Sequence, residues 1–324
     1  MTPRLVLALA IVACLQLSAV ALLYWPPGQG AADANALDPP LLALPRESIA
    51  GISVTGPAGE EVSITRRGGQ WLLEDGLPAA ASLIDSLLEA LNRPLGFPVA
   101  RSDSARMRFE LAQTAFQRRI TLESETDSAP TGDRADAAST IYLGTSPGIR
   151  QVYARRGDSD AIHAIKLSTF DVPTRVDRWL EPNLLALAAI DRVRIDGDEW
   201  TKTQDSWAPV AGQTAEEETA TRLQVLEQAL ATLQVTGVVP ADASVPDAAE
   251  IVFTVWQSGR EHVFQLQSAA DGEESRIYSS ERGRWFTLAS YDVDRLADAL
   301  AALKTATGKT WVSRGRRNGQ DSAQ

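Results

Sequence analysis

The stretch IDRVRIDGDEWTKTQDSWAPV, residues 190–210, decides the fold because it repeats an order that the chain has already used once. It contains three short runs of strand-forming residues, and the third run carries Trp207 shortly before an amphipathic helix. An earlier segment, residues 49–74, has three runs in the same order, with Trp71 in the place of Trp207. The recurrence predicts two copies of one unit, which explain the length of the chain better than two unrelated domains.

Each copy continues with a helix and further strands. The helices predicted at residues 79–93 and 219–234 place leucines on one face at spacings of three and four. The strands that follow are predicted at residues 119–123, 140–143, 151–155 and 161–167 in the first copy, and at residues 251–257, 262–267, 275–279 and 285–288 in the second. A second apolar stripe closes each copy. We therefore expect an α+β fold of two tandem repeats, each a mostly antiparallel sheet with two helices.

The composition indicates a folded, acidic protein without affinity for nucleic acid. Of the 324 residues, 44% are hydrophobic and 23% are charged, which is ordinary for a globular chain with room for two cores. The net charge of -11 argues against binding to phosphate backbones, since that affinity comes from clustered Lys and Arg. The single cysteine, Cys14, excludes an intramolecular disulfide and a cysteine-based metal cluster.

Residues 5–25, LVLALAIVACLQLSAVALLYW, form an uncharged apolar run. As a helix, a run of this length reaches about 30 Å, which is enough to cross a bilayer. Arg4 precedes the run and Trp25 ends it, so one N-terminal transmembrane helix is expected, with the bulk of the chain outside the cytoplasm. Two alternatives use the same residues: cleavage of a signal peptide after Ala21, and attachment of a lipid to Cys14.

The predicted organisation has five parts. These are a membrane anchor at residues 1–27, a linker at residues 28–44, a first repeat at residues 45–185, a second repeat at residues 186–312, and a disordered basic and polar tail at residues 313–324. A polar, low-complexity insertion at residues 124–139 is interpreted as a flexible loop within the first repeat.

The stretch KLSTFDVPTRVDRW, residues 166–179, follows His163 and places Ser168 and Asp171 near it in sequence. These are the side-chain types of serine hydrolases, but a catalytic triad requires geometry as well as composition. The second copy has the same pattern of serine, aromatic residue and Asp-Val, with no histidine at the matching place. We therefore interpret Asp171 and its counterpart Asp292 as residues that cap the start of a helix.

Other candidate chemical motifs are also interpreted as structural. Residues 144–148, GTSPG, have the form G-x-S-x-G, but Pro147 has no N–H to donate to an oxyanion, so the segment is predicted to be a hairpin turn. His163 and His262 lie in or beside predicted strands without a metal-ligand partner nearby in sequence. The tryptophans recur at matching strand positions, which favours core packing over ligand stacking. The sequence thus predicts no catalytic residue, no cofactor and no metal site.

Six segments carry a resemblance to a known family: LLALPRESIAGISVTG, EVSITRRGGQWLLE, PAAASLIDSLLEAL, TIYLGTS, RQVYARRGD and IHAIKLSTFDV. Together with the apolar N-terminus they resemble the DUF4340 domain proteins of bacterial envelopes, over residues 45–184 and more loosely to residue 311. In FELAQTAFQRRITL, residues 109–122, Glu110 stands where the family usually has glycine. The resemblance supplies no site residue. It implies an accessory envelope protein, because such proteins are often encoded beside gliding-type ABC transporter components.

The expected function is therefore that of a non-catalytic interaction or scaffold protein. We expect a single-pass protein of the bacterial inner membrane with its bulk in the periplasm, and the partners expected are integral-membrane subunits of an ABC-type transport complex. Two alternatives stay open. One is a periplasmic module that binds lipid or glycan, and the other is an envelope hydrolase built on an unrecognised carboxylate pair.

Overall fold

The computed structural model describes residue 16 and residues 38–124, 139–204, 206–210, 217–240, 251–267 and 275–306. The predicted anchor apart from residue 16, the linker up to residue 37, nearly all of the low-complexity loop and the C-terminal tail lie outside the described residues. Within the described ranges, no helix combines the length and hydropathy needed to cross a membrane.

Strands account for most of the regular structure. They are β1 (Ile49–Thr55), β2 (Glu61–Arg67), β3 (Gln70–Leu73), β4 (Leu111–Ala112), β5 (Ala115–Phe116), β6 (Arg118–Ser124), β7 (Thr140–Leu143), β8 (Val152–Arg156), β9 (His163–Ile165), β10 (Arg192–Ile195), β11 (Asp198–Thr203), β12 (Ser206–Pro209), β13 (Val235–Val238), β14 (Ile251–Gln257), β15 (Arg260–Gln267), β16 (Arg276–Ser279) and β17 (Arg284–Leu288). The α-helices are α1 (Ala81–Asn92), α2 (Asp103–Arg108), α3 (Glu217–Ala231) and α4 (Ser290–Ala306). Short 3-10 helices occur at Arg46–Ser48, Thr169–Asp171 and Val176–Trp179.

The strands form two large sheets and one two-stranded ribbon. The first sheet has the order β3-β2-β1-β6-β7-β8-β9, the second has the order β12-β11-β10-β14-β15-β16-β17-β13, and β4 pairs with β5. Neighbouring strands of both sheets are antiparallel. Successive side chains along a strand point to opposite faces of the sheet: in β2, Val62 and Ile64 are buried while Glu61 and Ser63 are exposed. The expectation of an α+β protein with mostly antiparallel sheets is confirmed.

The seven strands of the first sheet and the first seven strands in the order of the second sheet are connected along the chain in the same way. In each, a three-stranded meander leads into a helix, α1 or α3, and the chain then returns beside the first strand of the meander as β6 or β14. The second sheet differs by an added edge strand, β13, which pairs with β17. It differs also at its end, where the long helix α4 follows the last strand.

The helix expected after Asp171 is replaced by two 3-10 turns. Ser168 is the capping residue: its hydroxyl accepts the N–H of Phe170, and Asp171 accepts the N–H of Ser168. The apolar stripe expected on one helical face is split, because Val176 is 44% exposed while its neighbours in that stripe are buried. Because the capping residue is Ser168, Pro173 lies beyond the first turn of any helix that continues from it, where it provides no N–H for the helical hydrogen bonds. After the second sheet the expected helix does form as α4, and Asp292 lies in its first turn.

A single hydrophobic core runs through both sheets. The connecting segment between the sheets contacts both of them. The N–H of Ala80, just before α1, donates to the carbonyl of Trp179 at 2.7 Å, and the N–H of Leu187 donates to the carbonyl of Leu230 in α3 at 3.0 Å. Trp179 is fully buried at this junction. The two sheets are therefore held together by buried side chains and by backbone hydrogen bonds.

The described part of the predicted linker packs against the first sheet's helix. Leu41 and Leu42 are buried, and the N–H of Leu42 donates to the carbonyl of Leu91 at 3.0 Å. The chain thus enters the folded body beside the C-terminal end of α1.

Candidate binding groove

A surface groove of about 590 Å³ lies between α1 and the far end of the first sheet. Three segments form its walls: α1, the turn before β8, and the segment that follows β9. Its lining residues are Leu83, Ser86, Leu87, Ala90, Arg93, Ile149, Arg150, Gln151, Lys166, Leu167 and Asp171. A volume of this size falls within the range of small-molecule and headgroup sites. We call this surface the α1 groove.

The helix wall follows from the spacing of the sequence. Ile84, Leu88 and Leu91 are buried in the core, and Leu87 is buried at the groove's floor. Leu83 is only partly buried and faces the groove. Because residues three and four apart share a helical face, one helix covers the core and lines the groove at the same time.

The second wall is the turn between β7 and β8, as predicted for the GTSPG segment. The N–H of Gly144 donates to the carbonyl of Tyr153 at 2.9 Å, and the N–H of Thr145 donates to the carbonyl of Phe109 at 2.9 Å. A Cβ on Gly144 would lie 1.9 Å from the Phe109 oxygen, so the position accepts glycine alone. Ile149 lies at the tip of this turn, between Gly148 and Gln151, and its side chain is 95% exposed.

The third wall carries the predicted Ser and Asp pair. Lys166 and Leu167 line the groove, and Asp171 lies at its rim. The capping box holds the Asp171 carboxylate on the backbone N–H of Ser168 at 3.0 Å. Between them Phe170 is 90% exposed. Two exposed large apolar side chains therefore belong to the segments that form the groove: Ile149, which lines it, and Phe170, which precedes the lining residue Asp171 in the chain.

The α1 groove is positively charged, although the whole chain carries a net charge of -11. Arg93 pairs with Glu89 at 2.8 Å, and this hydrogen bond holds the pKa of Glu89 below its usual value. Arg150 and Lys166 take part in none of the ion pairs of the described chain. An anionic group that enters the groove therefore meets two cations that need not give up another partner.

His163 lies outside the α1 groove, in a small cavity beside the start of the described chain. It is buried, with Nδ1 3.1 Å from the carbonyl of Gly96 and Nε2 3.3 Å from Asp38, which also pairs with Arg101. Burial lowers the pKa of His163 more than the Asp38 carboxylate raises it. Both ring nitrogens face these groups, and Ser168 is engaged in its capping box. The structure therefore does not assemble the three residues into a hydrolase triad.

The other sequence candidates also have structural partners. The hydroxyl of Ser146 lies 2.6 Å from the carbonyl oxygens of both Gly148 and Gln151, and it donates its one proton within this turn. His262 is buried on β15, where Nδ1 lies 3.0 Å from Glu281. Within the described ranges, no group of three or more His, Cys, Asp and Glu side chains is placed to hold a metal ion.

The tryptophan prediction is confirmed for three strand positions. Trp71, Trp200 and Trp207 are buried in the core. Trp256 is only partly buried, and its ring lies under the guanidinium of Arg194 at 5.0 Å. Core packing and a cation–π contact therefore occupy these rings.

Arg155 is an important residue that the sequence does not reveal. It is buried, and its guanidinium donates to the carbonyl oxygens of Leu111, Arg156, Gly157 and Ser159 at distances from 2.9 to 3.3 Å. It also lies 4.8 Å from the ring of Tyr142. Burial lowers the pKa of Arg155. Its hydrogen bonds join β8 to β4, and so support the turn that forms the groove's second wall.

Comparison with known proteins assigns the chain to a family. Residues 74–251 match the family model described as Domain of unknown function (DUF4340), and the match runs from the end of β3 to the first residue of β14. It covers more than half of the chain. The chain belongs to the DUF4340 family. No curated protein and no solved structure was found to match it. The match to DUF4340 confirms the predicted resemblance, and it brings no site residue with it.

Proposed function

We propose that this DUF4340 protein is a membrane-anchored, extracytoplasmic scaffold that binds an integral-membrane partner. The first candidate for the partner is a subunit of an ABC-type transport complex, as the family resemblance implies. Residues 5–25 supply the anchor in the bacterial inner membrane. Two tandem copies of one α+β unit supply the periplasmic body, and the shared order of the first seven strands in each sheet supports this duplication.

The observation that carries the proposal is that both sheets share one core. Besides the buried junction, Arg284 on β17 reaches across to Asp75 after β3, with Nη1 and Oδ2 2.6 Å apart. Proteins that close around a cargo usually have two bodies joined by a hinge, so that one can move against the other. A body with one continuous core holds its surfaces at fixed distances, which is what a scaffold between partners needs.

The test is to purify the full-length protein from its native membrane in mild detergent and to identify by mass spectrometry what accompanies it. We expect stoichiometric recovery of transporter subunits. A matched variant replaces residues 1–27 with an unrelated single-pass helix. Recovery with both forms supports binding by the body, recovery lost with the substitute assigns the binding to the anchor and overturns the scaffold proposal, and recovery of the protein alone overturns it as well.

A lipid-binding module is the second candidate, and the α1 groove is the observation that favours it. Its lining combines aliphatic side chains with cations, which suits an anionic amphiphile. A glycan platform is less well supported, because Trp71, Trp200 and Trp207 are packed in the core. Native mass spectrometry of the purified protein distinguishes this candidate from the scaffold: a lipid bound at one copy per chain supports it, and a bare chain overturns it.

A further inference from the structure

We propose that the rim of the α1 groove docks on the anionic headgroups of the membrane that holds the chain, and so fixes the orientation of the folded body. This inference rests on the proposed anchor at residues 5–25. It goes beyond the proposed function, because an anchor and a linker alone do not fix the orientation of the folded body relative to the membrane. The docking surface consists of Ile149, Phe170, Arg150 and Lys166.

The apolar part of this surface lies on two of the segments that form the walls of the groove. Ile149 lies at the tip of the turn before β8, and Phe170 lies in the 3-10 turn after β9. Their side chains are 95% and 90% exposed, the two highest values among the large apolar side chains described; Phe97 at 80% and Tyr291 at 72% come next. Large apolar side chains held in water on neighbouring loops mark a contact surface. Such side chains enter the boundary between headgroups and acyl chains when cations beside them contact the headgroups.

The charged part of the surface fits an anionic layer. Arg150 and Lys166 are exposed beside the apolar pair and belong to none of the described ion pairs. The Asp171 carboxylate at the same rim is bound to the backbone of Ser168. At physiological ionic strength charges act over only about 8 Å, so this local cationic surface decides which face approaches an anionic bilayer. The acidic remainder of the chain disfavours the other orientations.

The position of the groove agrees with the position of the anchor. The described part of the folded body begins at residue 38, and Leu42 is bonded to Leu91 near the end of α1 that also carries Arg93 of the groove. Only residues 26–37 separate the proposed anchor from the body, and a chain of that length reaches at most about 40 Å. The α1 groove is therefore on the part of the body that the anchor keeps near the bilayer. An acidic protein partner would also suit the charges, but the exposed apolar pair and the nearby anchor favour the membrane.

The experiment uses the full chain in nanodiscs of pure phosphatidylcholine or pure phosphatidylglycerol. A polarity-sensitive fluorophore is attached to Phe170→Cys in a Cys14→Ser background, and a matched chain carries it at Val252→Cys, a 46% exposed position on β14. We expect a blue shift of the label at residue 170 in phosphatidylglycerol, and no shift at residue 252. The pair Arg150→Gln and Lys166→Gln should lower the ratio of docked to undocked protein roughly 25-fold, since each cation at an anionic surface contributes about fivefold.

The control for charge is the pair Arg67→Gln and Arg282→Gln, two exposed arginines elsewhere on the body, which should leave the shift unchanged. Several results would overturn the docking proposal. A label at residue 170 that reports water in both lipids is one, and a shift that is insensitive to Arg150 and Lys166 is another. A shift that depends on the number of protein copies per nanodisc would assign the surface to contact between copies of the chain. Failure of the chain to enter nanodiscs at all overturns the anchor, and is thus separate from a failure of docking.

Discussion

Replacing Trp179 should uncouple the two sheets. The side chain is fully buried at their junction, its Nε1 donates to the carbonyl of Pro173 at 2.7 Å, and its own carbonyl accepts the N–H of Ala80 at 2.7 Å. Trp179→Ala keeps the backbone bond but leaves a large cavity, which costs about 3–5 kcal/mol. Trp179→Phe keeps most of the ring and loses the Nε1 bond and a little volume, about 1–2 kcal/mol.

The assay is thermal unfolding of the full-length protein in detergent, followed by calorimetry. For a body of this size, 1 kcal/mol shifts Tm by roughly 2–4 °C, so we expect a decrease of about 6–20 °C for Trp179→Ala and about 2–8 °C for Trp179→Phe. Because the cavity lies between the sheets, the alanine variant should also broaden the transition or split it into two. Trp285→Ala, at a partly buried position on β17, is the matched control. If Trp179→Ala lowers Tm no more than Trp285→Ala does, and unfolds in one sharp transition, the idea of a shared core as a rigid junction is wrong.

Three further predictions concern the supports of the α1 groove. Arg155→Met should lower Tm by about 6 °C or more, because it leaves several carbonyl oxygens without their charged donor, and Arg155→Lys should recover only part of the loss. Gly144→Ala should lower Tm by a similar amount, because its Cβ would collide with the Phe109 carbonyl, whereas Gly148→Ala, which meets open space, should change Tm by no more than about 2 °C. His163 has a lowered pKa in the folded chain, so the unfolded chain binds the proton first as pH falls through about 6.5. The free energy of unfolding should therefore decrease below that pH, and His163→Gln should weaken this dependence in chemical denaturation measured from pH 7 to pH 5.

The elements with strong periodicity were predictable from the sequence. The helix expected at residues 79–93 is α1, Ala81–Asn92, and the strand expected at residues 251–257 is β14, Ile251–Gln257. In these segments the local sequence pattern and the tertiary packing favour the same residues, because one face of the helix or strand is buried and the other faces water. The GTSPG turn was predictable for a similar reason, because proline and glycine restrict the backbone on their own.

The elements without such a pattern were missed. The helix α2 has no buried residue, the ribbon of β4 and β5 has two residues in each strand, and β13 contains Gly237. These elements depend on what packs beside them, which a local pattern does not contain. The prediction of a helix after Asp171 was wrong for the opposite reason. An apparent apolar stripe was present, but the segment that contains Pro173 and the buried Trp179 folds as two 3-10 turns.

The groove itself was not predictable, because it joins three segments that are distant along the chain. Arg155 shows the difficulty: its guanidinium donates to Leu111, which lies 44 residues earlier, and no spacing rule connects the two. The exposed positions of Ile149 and Phe170 are also tertiary facts. In the sequence they are two apolar residues beside turns, and only the fold shows that nothing described in the chain covers them.

The backbone around the groove requires a left-handed conformation at Glu110. Glu110 has a φ of 56°, in the left-handed region of the backbone. Glycine adopts this region readily, whereas other residues lose about 1–2 kcal/mol of conformational free energy there. Its side chain is bonded to Gln117, which holds the strained residue in place. The carbonyl just before it, that of Phe109, accepts the N–H of Thr145 and fixes the turn that presents Ile149. The left-handed backbone at residue 110 is therefore a requirement for building the groove's second wall, and in this chain a glutamate bonded to Gln117 meets it.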